Sequence, residues 1–131
     1  MPAYNCQKRF VPMILDKRKQ TTIRRRRKNP TKTGDRLYLY TGQRTKHSMK
    51  IAEAICIAVT PIVIWPFARL ISGTMVSQAF SKAKVSEMAK RDGFENVKEF
   101  YKFFERYGSE CLEDFESIEW DPDTVVRYAK R

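Results

Sequence analysis

Between Ile51 and Ile64 the chain reads Ile-Ala-Glu-Ala-Ile-Cys-Ile-Ala-Val-Thr-Pro-Ile-Val-Ile, and this stretch constrains the fold more than any other. Its isoleucines and valines are stiff at χ1 and pack well on a pleated surface. Pro61 has no place in a helix interior. With a period of two, Ile51, Glu53, Ile55, Ile57 and Val59 share one face, and Ala52, Ala54, Cys56 and Ala58 share the other. The pattern predicts one long core strand, or two with a bend or edge at Pro61, in which a small-residue face meets a bulky one. Glu53 is the exception on it. With Glu53, Pro61 and Pro66 inside it, Ile51 to Ala68 fits buried strands better than a lipid-spanning helix.

The segment Lys17 to Gly42 precedes this strand. Gln20-Thr21-Thr22-Ile23-Arg24 alternates and is β-branched, as a strand should be. Lys19 and Thr22, three apart, point to opposite faces of a regular strand unless Lys19 sits in the turn before it. Arg24, Arg25, Arg26, Arg27 and Lys28 then form a block of cations. Asn29-Pro30 and Gly34-Asp35 turn the chain, and Arg36 to Tyr40 reads as a second strand closed by Thr41-Gly42. The expectation is a hairpin with a basic loop at one mouth of a sheet, suited to a phosphate-bearing partner. Tyr38 and Tyr40 share a face and are read as core.

Charge is uneven along the chain. Residues 1–50 hold 15 Lys and Arg against Asp16 and Asp35, a balance of +13, whereas residues 51–131 hold 11 against 13 Asp and Glu, a balance of −2. Such asymmetry points to nucleic acid or an anionic surface. With 131 residues, 42% of them apolar, one domain with an ordered core is expected. Cys6, Cys56 and Cys111 are odd in number and lack any C-x-x-C pair, which argues against a disulfide framework or zinc site and for a reducing compartment. His47 is the only histidine, so sites needing two are excluded and no metal or other cofactor is implied. No apolar run follows the first basic residues, so no signal peptide is read and a cytoplasmic location is expected.

In the remainder, Tyr4 to Val11 is a candidate first strand and Pro12 opens a helical turn through Leu15. Arg44 to Lys50, with Arg44 and Lys46, reads as a polar loop, His47 included. Trp65 to Gln78 is irregular and receives no element. Lys82 to Arg91 is a helix capped at Ser81, with Val85, Met88 and Ala89 as its stripe and Gly93 as its terminator. A second helix runs from about Val97 to Tyr107, capped at Asn96 with Glu99 three residues on. Its aromatics, including Phe100, Phe103 and Phe104, are read as core. Leu112 to Trp120 is a last strand, and 121–131 a tail or short helix.

These pieces, in this order, resemble an ASCH domain, a small family related to the PUA fold. The family's G-x-K-T-x-T-I-R pattern is similar to Arg18-Lys19-Gln20-Thr21-Thr22-Ile23-Arg24, with Lys17 where the glycine stands and Gln20 for a threonine. Its G-D-x-L-x-L-Y-T-G-x-R-T-K pattern is similar to Gly34 through Lys46. Its A-x-x-D-G-F, with an aromatic helix behind, is similar to Ala89 through Phe94 and the stripe to Phe104. The resemblance spans about Lys8 to Trp120. It implies an α+β fold, a PUA-like mixed β-barrel with two or three helices packed against it. The barrel would occupy about residues 4–120 of a single domain, 1–131.

It also implies a cleft that binds RNA or a modified nucleotide. Arg18, Lys19, the cations Arg24 to Lys28, Arg44 and Lys46 would serve as contacts. Some family members hydrolyse acetylated cytidine and others are associated with ribonuclease activity. Carried over by position, their lysine, threonine and acid fall on Lys19, Thr22 and Asp92, the last an Asp where the amidohydrolases carry a Glu. A threonine hydroxyl needs a base to become a nucleophile, and a lysine desolvated in a cleft can supply one. Against this, Lys19 can be a phosphate contact, Thr22 a strand residue and Asp92 a helix end. Three readings stand: an RNA- or nucleotide-binding module, a small hydrolase using the same cleft, and a basic interaction protein for an acidic partner. No membrane partner is expected.

Overall fold

The computed structural model describes residues 2–43, 45–74 and 78–128. Its strands are β1 (Ala3–Asn5), β2 (Thr21–Arg25), β3 (Arg36–Thr41), β4 (Met49–Trp65), β5 (Leu70–Gly73), β6 (Leu112–Trp120) and β7 (Val126–Arg127). The helices are α1 (Val11–Leu15), α2 (Lys82–Arg91) and α3 (Val97–Glu105), with 3₁₀ turns at Lys8–Phe10 and Pro122–Thr124. The architecture is α+β.

The run read first from the sequence is the spine. β4 extends from Met49 to Trp65 and pairs antiparallel with β3, β5, β6 and β7. The sheet runs in the order β1-β3-β4-β6-β2, with β5 and β7 attached to β4 off that path. Pro61 sits opposite Glu116 of β6, between the part of β4 that pairs with β3 and the part that pairs with β5. Its missing N–H therefore interrupts no second ladder. The small-residue face lies on the core, with Ala52, Ala54 and Cys56 buried, as are Ile62 and Ile64, while on the bulky face Ile51 is buried and Ile57 is exposed. Glu53 lies on that outer side, bonded to Arg36, Lys50 and the Tyr128 hydroxyl, and so holds the chain end against β4.

The expected bounds of α2 and the caps of both helices are observed, whereas α3 ends at Glu105 rather than near Tyr107. Ser81 Oγ accepts from Lys84 N–H at 3.1 Å and Asn96 Oδ1 from Glu99 N–H at 2.9 Å, each relieving a free donor of a helix start. Phe100 and Phe104 are fully buried, with rings 5.3 Å apart, edge to face. Phe103, expected in the core with them, is only half-buried because it turns toward a pocket.

Four expectations are corrected. The segments β2 and β3 do not form a hairpin. β2 pairs with β6, and β3 lies between β1 and β4, because β2 buries both faces and needs the central strand β6 beside it. Tyr38 and Tyr40 are half-buried, while Leu37 and Leu39 take the core face of β3. The first strand ends at Asn5, since Gln7, Lys8 and Arg9 are exposed and the chain coils into the 3₁₀ turn. Trp65 to Gln78, left without an element, contains the end of β4 and the whole of β5, joined through Pro66 and Arg69, the latter at φ 57°. Residues 75–77 of that stretch lie outside the described residues.

The edge strands β1 and β2 approach each other without a ladder between them among the described residues. Guanidinium groups span the gap. Arg24 donates to the Asn5 carbonyl, and Arg27 donates to the Ala3 carbonyl at 3.0 Å. No described helix is long and apolar enough to cross a membrane.

Candidate functional site

The site begins with the turn that leads into β2. Lys17 takes a left-handed φ of 70°, and the amides of Arg18 and Lys19 both bond the Met13 carbonyl in α1. This fold-back places Lys19 before the strand, so Lys19 and Thr22 reach the same cavity despite their spacing. From the other side, α2 ends at Asp92 and Gly93 follows at φ 97°. A Cβ at Gly93 would stand 2.8 Å from the Phe10 ring, so only glycine admits this close approach.

Lys19 and Asp92 meet there with side chains 4% and 5% exposed. Lys19 Nζ donates to Asp92 Oδ1 at 3.2 Å and to the Asp92 carbonyl at 2.5 Å, and it lies 4.5 Å from the centre of the Phe10 ring. Thr21 Oγ1 donates to Asp92 Oδ1 at 3.0 Å. Burial is the larger influence on Asp92 and pushes its carboxyl upward, while the nearby Lys19 ammonium and the hydrogen bonds pull it down. The Cys6 thiol in the same wall is raised by burial as well.

Thr22 accepts a 2.8 Å bond from Arg24 Nε, which leaves the threonine's own proton free to be donated. Arg24 thus ties Thr22 to the β1 backbone. Around these groups the pocket is walled by Phe10, Phe94 and Phe103, with Arg106 and Tyr107 from the end of α3. Flat apolar walls with a few convergent polar groups suit a planar heteroaromatic ring.

The residues expected from the sequence divide accordingly. Lys19, Thr22, Asp92 and Arg24 come together. Arg27 lies further along the β1 seam and also caps the Tyr4 ring at 4.9 Å. Arg25, Arg26, Lys28 and Lys46 are exposed. Arg18 is exposed too but pairs with its own neighbour Asp16 at 2.9 Å, away from the pocket lining. Arg44 lies outside the described residues. Sequence reasoning missed Thr21, Phe103 and Arg106. Thr21 had one signal, its place beside Thr22 at the start of the β-branched Thr21-Thr22-Ile23 run. The other two had none, because α3 reads as an ordinary amphipathic helix.

No family model matches the sequence, and no curated protein matches it. Solved structures share its backbone path. An ASCH protein from Zymomonas mobilis is similar with a TM-score of 0.54 and 16% identity, over 95% of this chain and 69% of that one. A serine-to-alanine variant of it gives 0.55 and 15%, over 95% and 70%. A tyrosine-to-phenylalanine variant gives 0.54 and 13%, over 95% and 71%. The chain has an ASCH-like fold.

Proposed function

We propose that this chain, from its ASCH-like fold, binds RNA or a modified nucleotide by taking a base into the pocket between β2 and the ends of α2 and α3. The observation that carries the reading is the pocket itself. Phenyl rings wall it, hydroxyl and guanidinium donors meet in it, and its single carboxylate, Asp92, is matched by Lys19. An anion approaching the rim therefore meets Arg24 and Arg106 without an uncompensated negative charge behind them. In this reading the sheet is a barrel whose β1–β2 seam is closed by the side chains of Arg24 and Arg27, and the chain works as one domain.

A second reading, a small hydrolase, is favoured by the convergence of Lys19, Thr22 and Asp92 on one cavity. Asp92, raised by burial, bonds Lys19 and holds it at the cavity. In its neutral form the Lys19 amine would take the proton of Thr22, or of a water that Thr22 positions, as that oxygen adds to the acyl carbon of an amide ligand, and would return it to the departing nitrogen as the C–N bond breaks. An acyl group left on Thr22 would then be released by water along the same route. Lys19 bonds Asp92, and Thr22 bonds Arg24, so base and nucleophile share the cavity without bonding each other.

Calorimetric titration with cytidine, its acetylated form and cytidine monophosphate tests both readings. Saturable binding weakened by Thr22→Val is expected, and no binding of any of the three refutes the pocket assignment. Turnover of acetylated cytidine that is lost in Lys19→Arg while binding persists establishes the hydrolase. Normal turnover by Lys19→Arg removes it.

A further inference from the structure

Beside the pocket runs a second groove, lined by Tyr4, Arg24, Arg25, Arg27, Gln43 and Tyr107 among others. The two cavities share Asn5, Arg24 and Tyr107 in their walls, so they lie side by side. Three of the groove's lining residues are arginines and none is acidic. Two of the three are already held in place. Arg24 and Arg27 donate to the carbonyls of Asn5 and Ala3, and their guanidinium carbons lie 5.4 and 4.9 Å from the centre of the Tyr4 ring. A guanidinium carries five N–H donors, so these bonds leave others for a phosphate while fixing the fork that would receive it.

The third arginine and the groove's outer aromatic complete the arrangement. Arg25 is exposed and its guanidinium lies 5.6 Å from the Tyr107 ring centre. Tyr107 is 38% exposed and is braced by Phe104 in a stacked pair, 6.3 Å between centres and 18° between planes. A supported, partly open ring beside preorganised cations matches a base and its phosphate.

We infer that this groove is a second subsite, which takes the phosphate and base next in the chain to the one in the pocket. The ligand is then a single-stranded oligonucleotide rather than a free nucleoside. The inference rests on the reading of the pocket as a base site. A base in the pocket must be unpaired, and its neighbouring phosphate leaves by the wall that the cavities share, at Arg24. A paired strand cannot supply both.

The test compares Kd for uridine monophosphate, the uridine dinucleotide and the uridine tetranucleotide, with a deoxy series in parallel, on the full chain and on Arg25→Gln and Tyr107→Leu. One further stacked base should tighten binding on the order of 10-fold or more from mono- to dinucleotide. Both variants should pull that ratio toward one, with circular dichroism showing them folded. If the mononucleotide binds but the dinucleotide gains nothing, or Arg25→Gln leaves the ratio intact, the second subsite is overturned and the pocket assignment survives. If neither binds, the pocket assignment falls and this inference with it. A glutamate-rich peptide that displaces the dinucleotide at equal concentration would also overturn it, since the groove would then be a site for acidic chains. The deoxy series shows whether the ribose hydroxyl is read.

Discussion

Replacing Asp92 by Asn isolates what the buried ion pair contributes. The substitution keeps an oxygen for Thr21 and leaves the Asp92 carbonyl, 2.5 Å from Lys19 Nζ, in place. It removes the charge that faces an ammonium only 4% exposed. Removing one partner of a buried pair costs about 3–5 kcal/mol, because the other charge stays buried without compensation. The surviving carbonyl and the Phe10 ring at 4.5 Å place the expected cost near the lower end, at about 3 kcal/mol. Lys19→Met alone leaves Asp92 with Thr21 only. The double variant Lys19→Met with Asp92→Asn buries no charge, so its cost should fall short of the sum of the single costs by about 2 kcal/mol. Urea unfolding followed by circular dichroism reads these values, provided that m is unchanged among the four proteins. Additivity within about 0.5 kcal/mol would refute the argument, since uncoupled residues behave that way.

Two further predictions concern the frame of the site. Gly93→Ala forces a side chain into φ 97° and to within 2.8 Å of the Phe10 ring, so it should cost about 1–3 kcal/mol and weaken ligand binding in the same titration. Glu116 is buried opposite Arg24 of β2, with Oε2 lacking a partner and its carboxyl raised chiefly by burial. A folded-state pKa above the unfolded one means that the native state holds the proton more tightly. The associated stability is therefore full below about pH 4.5 and is lost as pH rises through the folded value. Glu116→Gln should accordingly gain on the parent as pH rises from about 4 to 7, read by chemical denaturation. A constant difference across pH 4 to 7 would show that Glu116 is not the group responsible.

The sequence by itself determined what depends on near neighbours. β4 was legible from its alternation and Pro61, α2 and α3 from Ser81, Asn96 and their apolar stripes, and β6 from Leu112 to Trp120. Capping and periodicity act over a few residues, so they survive in the order of the letters. The choice of strand partners did not survive there. β2 and β3 are joined by a short basic segment and read as a hairpin, yet β2 seeks β6, about ninety residues on, because only there are both its faces covered. The same holds for the site. Lys19, Thr22 and Asp92 could be named from resemblance, but the bond from Lys19 to Asp92 spans 73 residues and exists only when α1 folds the loop back and Gly93 lets Phe10 approach. The arginine block shows the limit most clearly. Five adjacent cations look equivalent in sequence, whereas the tertiary structure commits Arg24 and Arg27 to the carbonyls of β1 and leaves Arg25, Arg26 and Lys28 exposed. A cation's role is set by the acceptors that come within its reach, and for these residues the acceptors lie on a strand about twenty positions upstream.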